Sequence, residues 1–142
     1  MAVQCLCTSV RQLARRMTSI YEAQLAPHGL TVTQFSILQR LHQLAPVANL
    51  EFAVHMGMDR TTLVRGLKPL MAANWIETVD MPEGTVIDKR SFGLQLTSDG
   101  IDKYRSAHVA WSNAQAETRQ ILGPELAEAL LSTTHEVYEV LA

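Results

Sequence analysis

The stretch from residue 48 to residue 74 constrains the fold of this chain most, because it reads as two short helices joined by a tight turn. Gly57 is expected to end the first helix, since helices commonly terminate in a left-handed residue that glycine adopts cheaply. Asn49 and Asp59 are the expected N-terminal caps of the two helices, because their side-chain oxygens accept orphan backbone amides. Apolar residues at helical spacing predict the buried faces, which comprise Phe52 and Met56 in the first helix and Leu63, Leu67, Leu70 and Met71 in the second.

The outward face of the second helix is predicted to be basic. Thr61, Arg65 and Lys68 fall opposite the apolar stripe, Arg60 lies beside them, and residues 60–73 contain no acid. Hydroxyl and guanidinium groups are those that bind phosphates and base edges. This pattern predicts the DNA-recognition helix of a helix-turn-helix. A cap, a glycine stop and a polar face are also typical of any helical hairpin on a soluble protein. The flanking sequence has to distinguish a DNA-binding helix-turn-helix from such a hairpin.

The whole chain sets the class of protein. Its 142 residues suffice for one domain with a real core. No apolar run is long enough to span a bilayer and no secretory signal is recognisable, while two cysteines fit a reducing compartment. We therefore expect a cytoplasmic protein that does not contact membranes.

The charge distribution matters more than its sum. The formal net charge of −2 argues mildly against a nucleic-acid binder. However, residues 117–142 hold five acids and one base, whereas residues 60–73 hold three bases. Charge separated in this way is compatible with one DNA-facing surface and one remote acidic surface.

Residues 75–97 change from helical to alternating periodicity. Phe92, Leu94 and Leu96 alternate with less apolar residues, as in a half-buried strand, and Trp75 and Ile76 begin a partner strand. Residues 46–49 allow one further small strand. The return of the hairpin carries Asp88, Lys89 and Arg90. A hairpin directly after a helix-turn-helix is a wing, and an arginine at its tip suits the minor groove.

Long amphipathic helices are predicted at both ends of the chain. Thr33 is the expected cap of the second helix and Thr97 of the fifth, whereas Pro69 is expected to bend or loosen the recognition helix. The apolar stripes have no partner left within the chain, so a second copy is the expected one. These stripes comprise Val3, Leu6, Val10, Leu13, Met17 and Ile20 in the first helix, Ile101, Tyr104, His108, Trp111, Gln115, Thr118 and Leu122 in the fifth, and Leu126, Leu130, Thr134, Val137 and Leu141 in the last.

The predicted architecture is mainly α with a small β-wing. Residues 1–142 form a single domain. Within it, residues 3–28 and 98–142 are dimerisation helices, and residues 33–97 form a winged helix-turn-helix DNA-binding region.

In this order of elements the chain resembles the MarR-type winged-helix transcriptional regulators. The resemblance covers nearly the full length and is carried by GLTVTQFSILQRL (29–41), MGMDRTTLVRGLKPL (56–70) and DKRSFGLQLTSDG (88–100). The acid and arginine before an alternating strand that ends in L-T-x-x-G are its most specific feature. The LKPL segment also occurs in members of the family, so Pro69 is expected there.

The resemblance implies roles for particular residues. Arg60, Thr61, Thr62 and Arg65 would lie nearest the DNA in the major groove, Arg90 would be the wing arginine, and Asp88 the acid that orients it. The terminal helices would form a homodimer on a pseudo-palindromic operator of double-stranded DNA, with half-sites about 10 base pairs apart. Release by small aromatic acids or by thiol oxidation is frequent in the family. One departure is a longer wing between Ile76 and Asp88, in which residues 81–87 lack basic side chains.

Two further sites are hypotheses. A small aromatic or acidic effector could bind where the first, second and fifth helices meet the winged region, although each candidate residue has an alternative role in the core or in solvent; the candidates are Arg15, Arg16, Tyr21, His42 and Trp111. Cys5 and Cys7 could sense oxidants, with Arg11 lowering a thiol pKa, or could simply pack or lie in an inert tail. Residues two apart on a helix point to nearly opposite sides, so the two thiols could not bind one ion without unwinding.

Other chemistry finds little support in the sequence. The five histidines form no helical i, i+4 pair, and there is neither a glycine-rich phosphate loop nor a nucleophile in a recognisable motif. We therefore predict no metal, no cofactor and no enzymatic activity. The expected function is that of a homodimeric, sequence-specific DNA-binding repressor released by a small effector. The alternatives are a winged-helix adaptor that binds protein through its acidic C-terminal helix, and a thiol-based redox regulator.

Overall fold

The computed structural model describes residues 4–85 and 88–142. Val3 of the predicted first-helix stripe and residues 86–87 of the predicted wing lie outside the described part of the chain. In chain order the described residues form α1 (Leu6–Leu25), a 3-10 turn (Ala26–His28), α2 (Val32–Leu44), β1 (Val47–Ala48), α3 (Asn49–Met56), α4 (Arg60–Ala72), β2 (Ile76–Val79), β3 (Gly93–Leu96), α5 (Ser98–Leu122) and α6 (Pro124–Leu141). The mainly helical class with a small sheet, predicted from periodicity, is confirmed.

The sheet is small, antiparallel and ordered β1–β3–β2. The central strand β3 pairs with β2 through Ile76 and Leu96, and with β1 through Val47 and Leu94. Both the wing hairpin and the short strand after Pro46 therefore form as the sequence predicts.

The core joins the winged region to the long helix α5. Phe35 of α2 is buried, and its ring stacks on Tyr104 and Trp111 of α5 at centroid distances of 5.9 and 5.8 Å. Phe52 of α3 and Leu63 of α4 are buried in the same cluster. Because close-packed side chains do not deform continuously, α5 and the winged region should move together.

Several local signals are confirmed. Gly57 ends α3 with a left-handed φ of +62°. The carboxylate of Asp59 caps α4, and the hydroxyl of Thr97 caps α5 by accepting the amide hydrogen of Gly100. Pro69 lies within α4, which continues to Ala72; the expected bend or loosening at Pro69 stays a prediction.

Other predicted details are wrong. Thr31, rather than Thr33, caps α2: its hydroxyl accepts the amide of Gln34 at 3.2 Å, while the Gln34 side chain accepts the amide of Thr31 at 3.0 Å. This reciprocal pair satisfies two orphan amides at once. Met71 is 36% exposed, because it lies one position around the helix from the buried Leu70.

Asn49 is also not the cap that the sequence suggested. Ala48 occupies the N-cap position of α3, with no side-chain hydrogen bond. Asn49 is the first helical residue, and its side chain accepts a hydrogen bond from the distant Phe92 instead.

The terminal helices leave much apolar surface open. α1 packs along α5, and α6 turns back after Gly123, burying only Ala127 among its residues. Leu6, Val109 and Leu141 are each more than 60% exposed. No described helix combines the length and the apolar character needed to cross a bilayer.

Candidate nucleic-acid interface

The first turn of α4 is held by a two-point cap. One carboxylate oxygen of Asp59 accepts the amide hydrogen of Thr62 at 2.7 Å, and the other accepts its hydroxyl hydrogen at 3.0 Å. These hydrogen bonds, first that of the amide, lower the pKa of Asp59 below its ordinary value. The positive charge of Arg65 lowers the pKa of Asp59 further, by a smaller electrostatic contribution.

The outward face of α4 is basic and accessible. Leu63, Leu67 and Leu70 are buried on the inner side. The predicted DNA-facing residues are all exposed, namely Arg60, Thr61, Thr62, Arg65 and Lys68. Neither of the ion pairs found among residues 4–85 and 88–142 involves α4, so the basic groups of this face form no direct ion pair in the described structure.

The wing return presents a second basic group. The carboxylate of Asp88 accepts the amide hydrogen of Arg90 at 2.8 Å, and the same oxygen lies 3.5 Å from Nε of Arg90. The amide of Ser91 closes the turn on the carbonyl of Asp88 at 2.8 Å. The contact between acid and arginine that the resemblance implies is therefore present. The Arg90 side chain is 77% exposed, and Lys89 beside it is exposed.

Asn49 connects the wing to the helix-turn-helix, and sequence reasoning missed this role. It is 1% exposed, its amide donates to the carbonyl of Phe92 at 2.9 Å, and its side-chain oxygen accepts the amide of Phe92 at 3.1 Å. A buried asparagine beside a two-residue strand was the available signal, but its partner lies 43 residues away in the sequence.

A groove separates α6 from α1 and α5. It has a volume of about 270 Å³ and is mainly apolar, with Leu13 and Met17 of α1 facing Leu130 and Leu131 of α6. Tyr21 lines the same groove and donates a hydrogen bond to the side-chain carbonyl of Gln115. The predicted apolar seam thus borders an open groove in the single chain.

The structure does not gather the five effector candidates into one site. Tyr21 lines the groove beside α6, whereas Arg15 and Arg16 lie on an exposed part of α1. Trp111 packs against Phe35 in the core. His42 lines a separate groove of about 170 Å³ between α2, β3 and the start of α5, where its ring contacts Tyr104 at a centroid distance of 4.5 Å.

Both cysteines are exposed and reduced at the start of α1. The side-chain and backbone groups of Thr8 hydrogen-bond the Cys5 sulfur and lower the pKa of its thiol. Arg11, which the sequence suggested for this effect, is not among its causes. Within the described part of the chain, no three histidine, cysteine or acidic side chains come together as metal ligands.

The fold and the exposed basic groups define a winged helix-turn-helix protein with long terminal helices. A profile of the MarR family matches residues 30–84. Over 91 residues the chain is 31% identical to the multiple antibiotic resistance protein MarR of Salmonella typhimurium, an alignment that covers 64% of this chain and 58% of that protein.

Solved structures agree over almost the whole length. The M. tuberculosis transcriptional regulator MosR, in complex with DNA, superposes with a TM-score of 0.79 at 27% identity, covering 97% of this chain and 98% of that one. The transcriptional repressor CouR, bound to a 23-mer DNA duplex, has a TM-score of 0.82 at 23% identity, covering 97% and 99%. The chain is therefore similar to MarR-family transcriptional regulators, in sequence over the winged helix-turn-helix region and in fold over nearly its full length.

Proposed function

We propose that this protein is a homodimeric, sequence-specific DNA-binding repressor that a small effector releases from its operator. The single observation that carries the proposal is the accessible basic face of α4 beside the exposed Arg90 of the wing. The structurally similar regulators MosR and CouR have both been solved in complex with DNA, and CouR is a transcriptional repressor.

The basic groups suit two different features of a duplex. Arg60, Thr61, Thr62 and Arg65 occupy the first turns of α4, where a recognition helix presents side chains to major-groove base edges. Lys68 lies about one turn beyond Arg65 and suits a phosphate. Arg90 and Lys89 extend from the wing, and a guanidinium is attracted to the negative potential of a narrow minor groove.

The second copy of the chain is the proposed occupant of the open apolar surface. Val10 of α1 lines the groove between α1, α5 and α6 and is exposed, and Val137 of α6, which follows the groove-lining Thr134 by three residues, is exposed as well. Exposed apolar surface of this extent marks an association site, and a two-fold dimer buries the same patch on both chains. Two copies would place two α4 helices about 10 base pairs apart on a pseudo-palindromic operator.

The proposal includes a site at which a small effector binds and releases the protein from DNA. The groove beside His42 is formed by α2, β3 and the first turn of α5, so a small aromatic or acidic ligand there would contact both the winged region and the long helix. A ligand shifts a conformational equilibrium only through different contacts in the two states, and a junction of this kind offers them. Thermal denaturation with a panel of aromatic carboxylic acids, compared between the parent and His42→Ala, tests this site.

The DNA proposal is tested by fluorescence anisotropy with duplexes selected from genomic DNA. Affinity should fall linearly with the logarithm of salt concentration, since phosphate contacts release counterions. Arg65→Ala and Arg90→Ala should each weaken binding by on the order of 1–3 kcal/mol. Arg11→Ala on α1 removes the same charge away from the proposed interface and should leave affinity unchanged. An equal loss in all three variants would indicate unspecific charge attraction and contradict the proposal.

A protein-binding adaptor remains the second candidate because α6 is acidic and exposed. Glu125, Glu128, Glu136 and Glu139 are all exposed on this helix. A protein-binding adaptor does not require a basic face on α4. It should therefore bind no DNA duplex, even at low ionic strength. Salt-dependent binding to promoter fragments would eliminate the adaptor.

A further inference from the structure

The start of α3 continues the strand pairing in an unusual way. β1 pairs with β3 through Val47 with Leu94 and Ala48 with Gly93, so the next residues to face each other are Asn49 and Phe92. Residues of an antiparallel hydrogen-bonded pair exchange two main-chain hydrogen bonds. Here the amide of Asn49 makes the first one, at 2.9 Å from the carbonyl of Phe92.

The second hydrogen bond uses a side chain in place of the main chain. Asn49 is already the first residue of α3, and its main-chain carbonyl points along the helix axis, away from Phe92. The side-chain carbonyl takes its place and accepts the amide of Phe92 at 3.1 Å. One residue therefore ends the strand and starts the helix while both hydrogen bonds to the wing are kept.

Asn49 is connected to both parts of the protein that are proposed to contact DNA, the recognition helix α4 and the wing. α3 leads from Asn49 through the turn at Gly57 to α4 and Arg65. On the other side, Phe92 lies two residues after Arg90 and directly follows the turn that Ser91 closes on Asp88. We propose that Asn49 is a positioning residue that fixes the wing arginine relative to the recognition helix, an inference that rests on the proposed DNA-binding function.

The hydrogen bonding of Asn49 favours a positioning role over a purely stabilising one. Its side-chain amide nitrogen is buried and has no hydrogen-bond partner among the described residues. A buried donor without a partner destabilises a fold. The side chain is thus used for the oxygen that holds Phe92, whereas its nitrogen contributes no contact in the described structure.

The test is a double-mutant cycle with the selected duplex. Affinities are measured for the parent, Asn49→Leu, Arg90→Ala and the double variant, because leucine keeps the branching at Cγ and removes the acceptor. Arg90→Ala should weaken the parent about 10-fold or more but the Asn49→Leu protein less than about 2-fold. Arg65→Ala, as the matched control on α4, should cost the same factor in both backgrounds.

A readout at the hydrogen bond itself accompanies the cycle. Exchange of the Phe92 amide hydrogen should be at least about 10-fold faster in Asn49→Leu than in the parent. Asn49→Asp retains an acceptor oxygen and should keep both the slow exchange and the full effect of Arg90→Ala. If Asn49→Leu does not fold, the test uses Asn49→Asp instead. A folded Asn49→Asp protein in which Arg90→Ala no longer weakens DNA binding would overturn the proposal.

The outcomes separate the inference from the function on which it rests. Equal effects of Arg90→Ala in the parent and in Asn49→Leu would overturn the positioning role. A parent that binds DNA but is indifferent to Arg90→Ala would overturn it as well, because the wing would then have no contribution to position. A parent that binds no duplex at low ionic strength would instead contradict the proposed function.

Discussion

Asp88 holds Arg90 twice, through the arginine amide at 2.8 Å and through Nε at 3.5 Å, both on the same carboxylate oxygen. An acid at a DNA-facing surface repels phosphates, so its presence beside the wing arginine suggests a geometric role. The pair fixes the backbone turn and restricts the guanidinium at the same time.

Replacing Asp88 therefore gives a prediction whose sign is informative. Asp88→Ala removes a negative charge, which by simple electrostatics would strengthen DNA binding. We expect the opposite, a loss of about 3- to 10-fold, because the wing arginine loses its orientation. Glu83→Ala removes an acid elsewhere in the wing and is the matched control. Anisotropy titrations in which both variants bind more tightly than the parent would show that Asp88 does not orient Arg90.

Gly57 and Tyr138 give a second prediction, on stability. Gly57 has a φ of +62°, and a Cβ added there would lie 2.7 Å from the hydroxyl oxygen of Tyr138 near the end of α6. Gly57→Ala should destabilise the fold by about 1–2 kcal/mol, mainly through the left-handed backbone. Tyr138 is 57% exposed and free to move, so the same substitution in a Tyr138→Ala protein should cost nearly as much. Urea denaturation measures the loss of unfolding free energy caused by Gly57→Ala in the parent and in Tyr138→Ala. A much smaller loss in Tyr138→Ala would show that the contact with the tyrosine side chain, rather than the backbone, causes the destabilisation.

Gly100 is constrained by close approach and gives a third prediction. A Cβ on this residue would overlap the main-chain carbonyl oxygen of Trp75, which also accepts the amide of Thr97 at 3.0 Å. Gly100→Ala should therefore destabilise the protein by about 3 kcal/mol despite the higher helix propensity of alanine. Ala116→Gly, in an exposed part of α5, is the reference for helix propensity alone and should lower the unfolding free energy by about 1 kcal/mol. Should Gly100→Ala prove neutral in urea denaturation, the close packing of α5 on Trp75 is wrong.

The thiol of Cys5 gives a prediction about pH. Because Thr8 lowers the pKa of Cys5, the reactive thiolate persists to lower pH than for an ordinary cysteine. In a Cys7→Ser protein, Thr8→Val should move the midpoint of the alkylation rate to higher pH and slow the reaction at neutral pH. The rate is measured with iodoacetamide, which alkylates the thiolate and releases iodide.

The redox alternative is tested with a different variant, Cys5→Ser. If oxidation regulates this protein, peroxide should reduce DNA affinity in the parent but not in Cys5→Ser. Unchanged binding of the parent after peroxide would remove thiol sensing from its function.

Much of the fold was predictable because its determinants are local. Gly57 and Asp59 reveal a helix end and a helix start within a few residues, and the alternation at Leu94 and Leu96 reveals a strand. The capping error at Thr33 was avoidable in principle, since Thr31 stands three residues before Gln34 as a capping box requires. The wing and the recognition helix could thus be located from the sequence alone.

Asn49 could not be interpreted in this way. An asparagine before a helical segment usually caps it, and nothing nearby reveals that its side chain instead bonds Phe92. The effector candidates failed to cluster for a similar reason. Helical periodicity places Tyr21 and Trp111 on inward faces, but only the packing of α1, α2 and α5 decides which groove each one reaches.

The most direct test of the central claim is the stoichiometry and salt dependence of the complex with a selected duplex, measured by analytical ultracentrifugation. We expect a dimer in the free protein, two chains per pseudo-palindromic duplex, and affinity that falls steeply as salt is raised. A protein that stays monomeric at micromolar concentration, or that binds no duplex at low ionic strength, would contradict it.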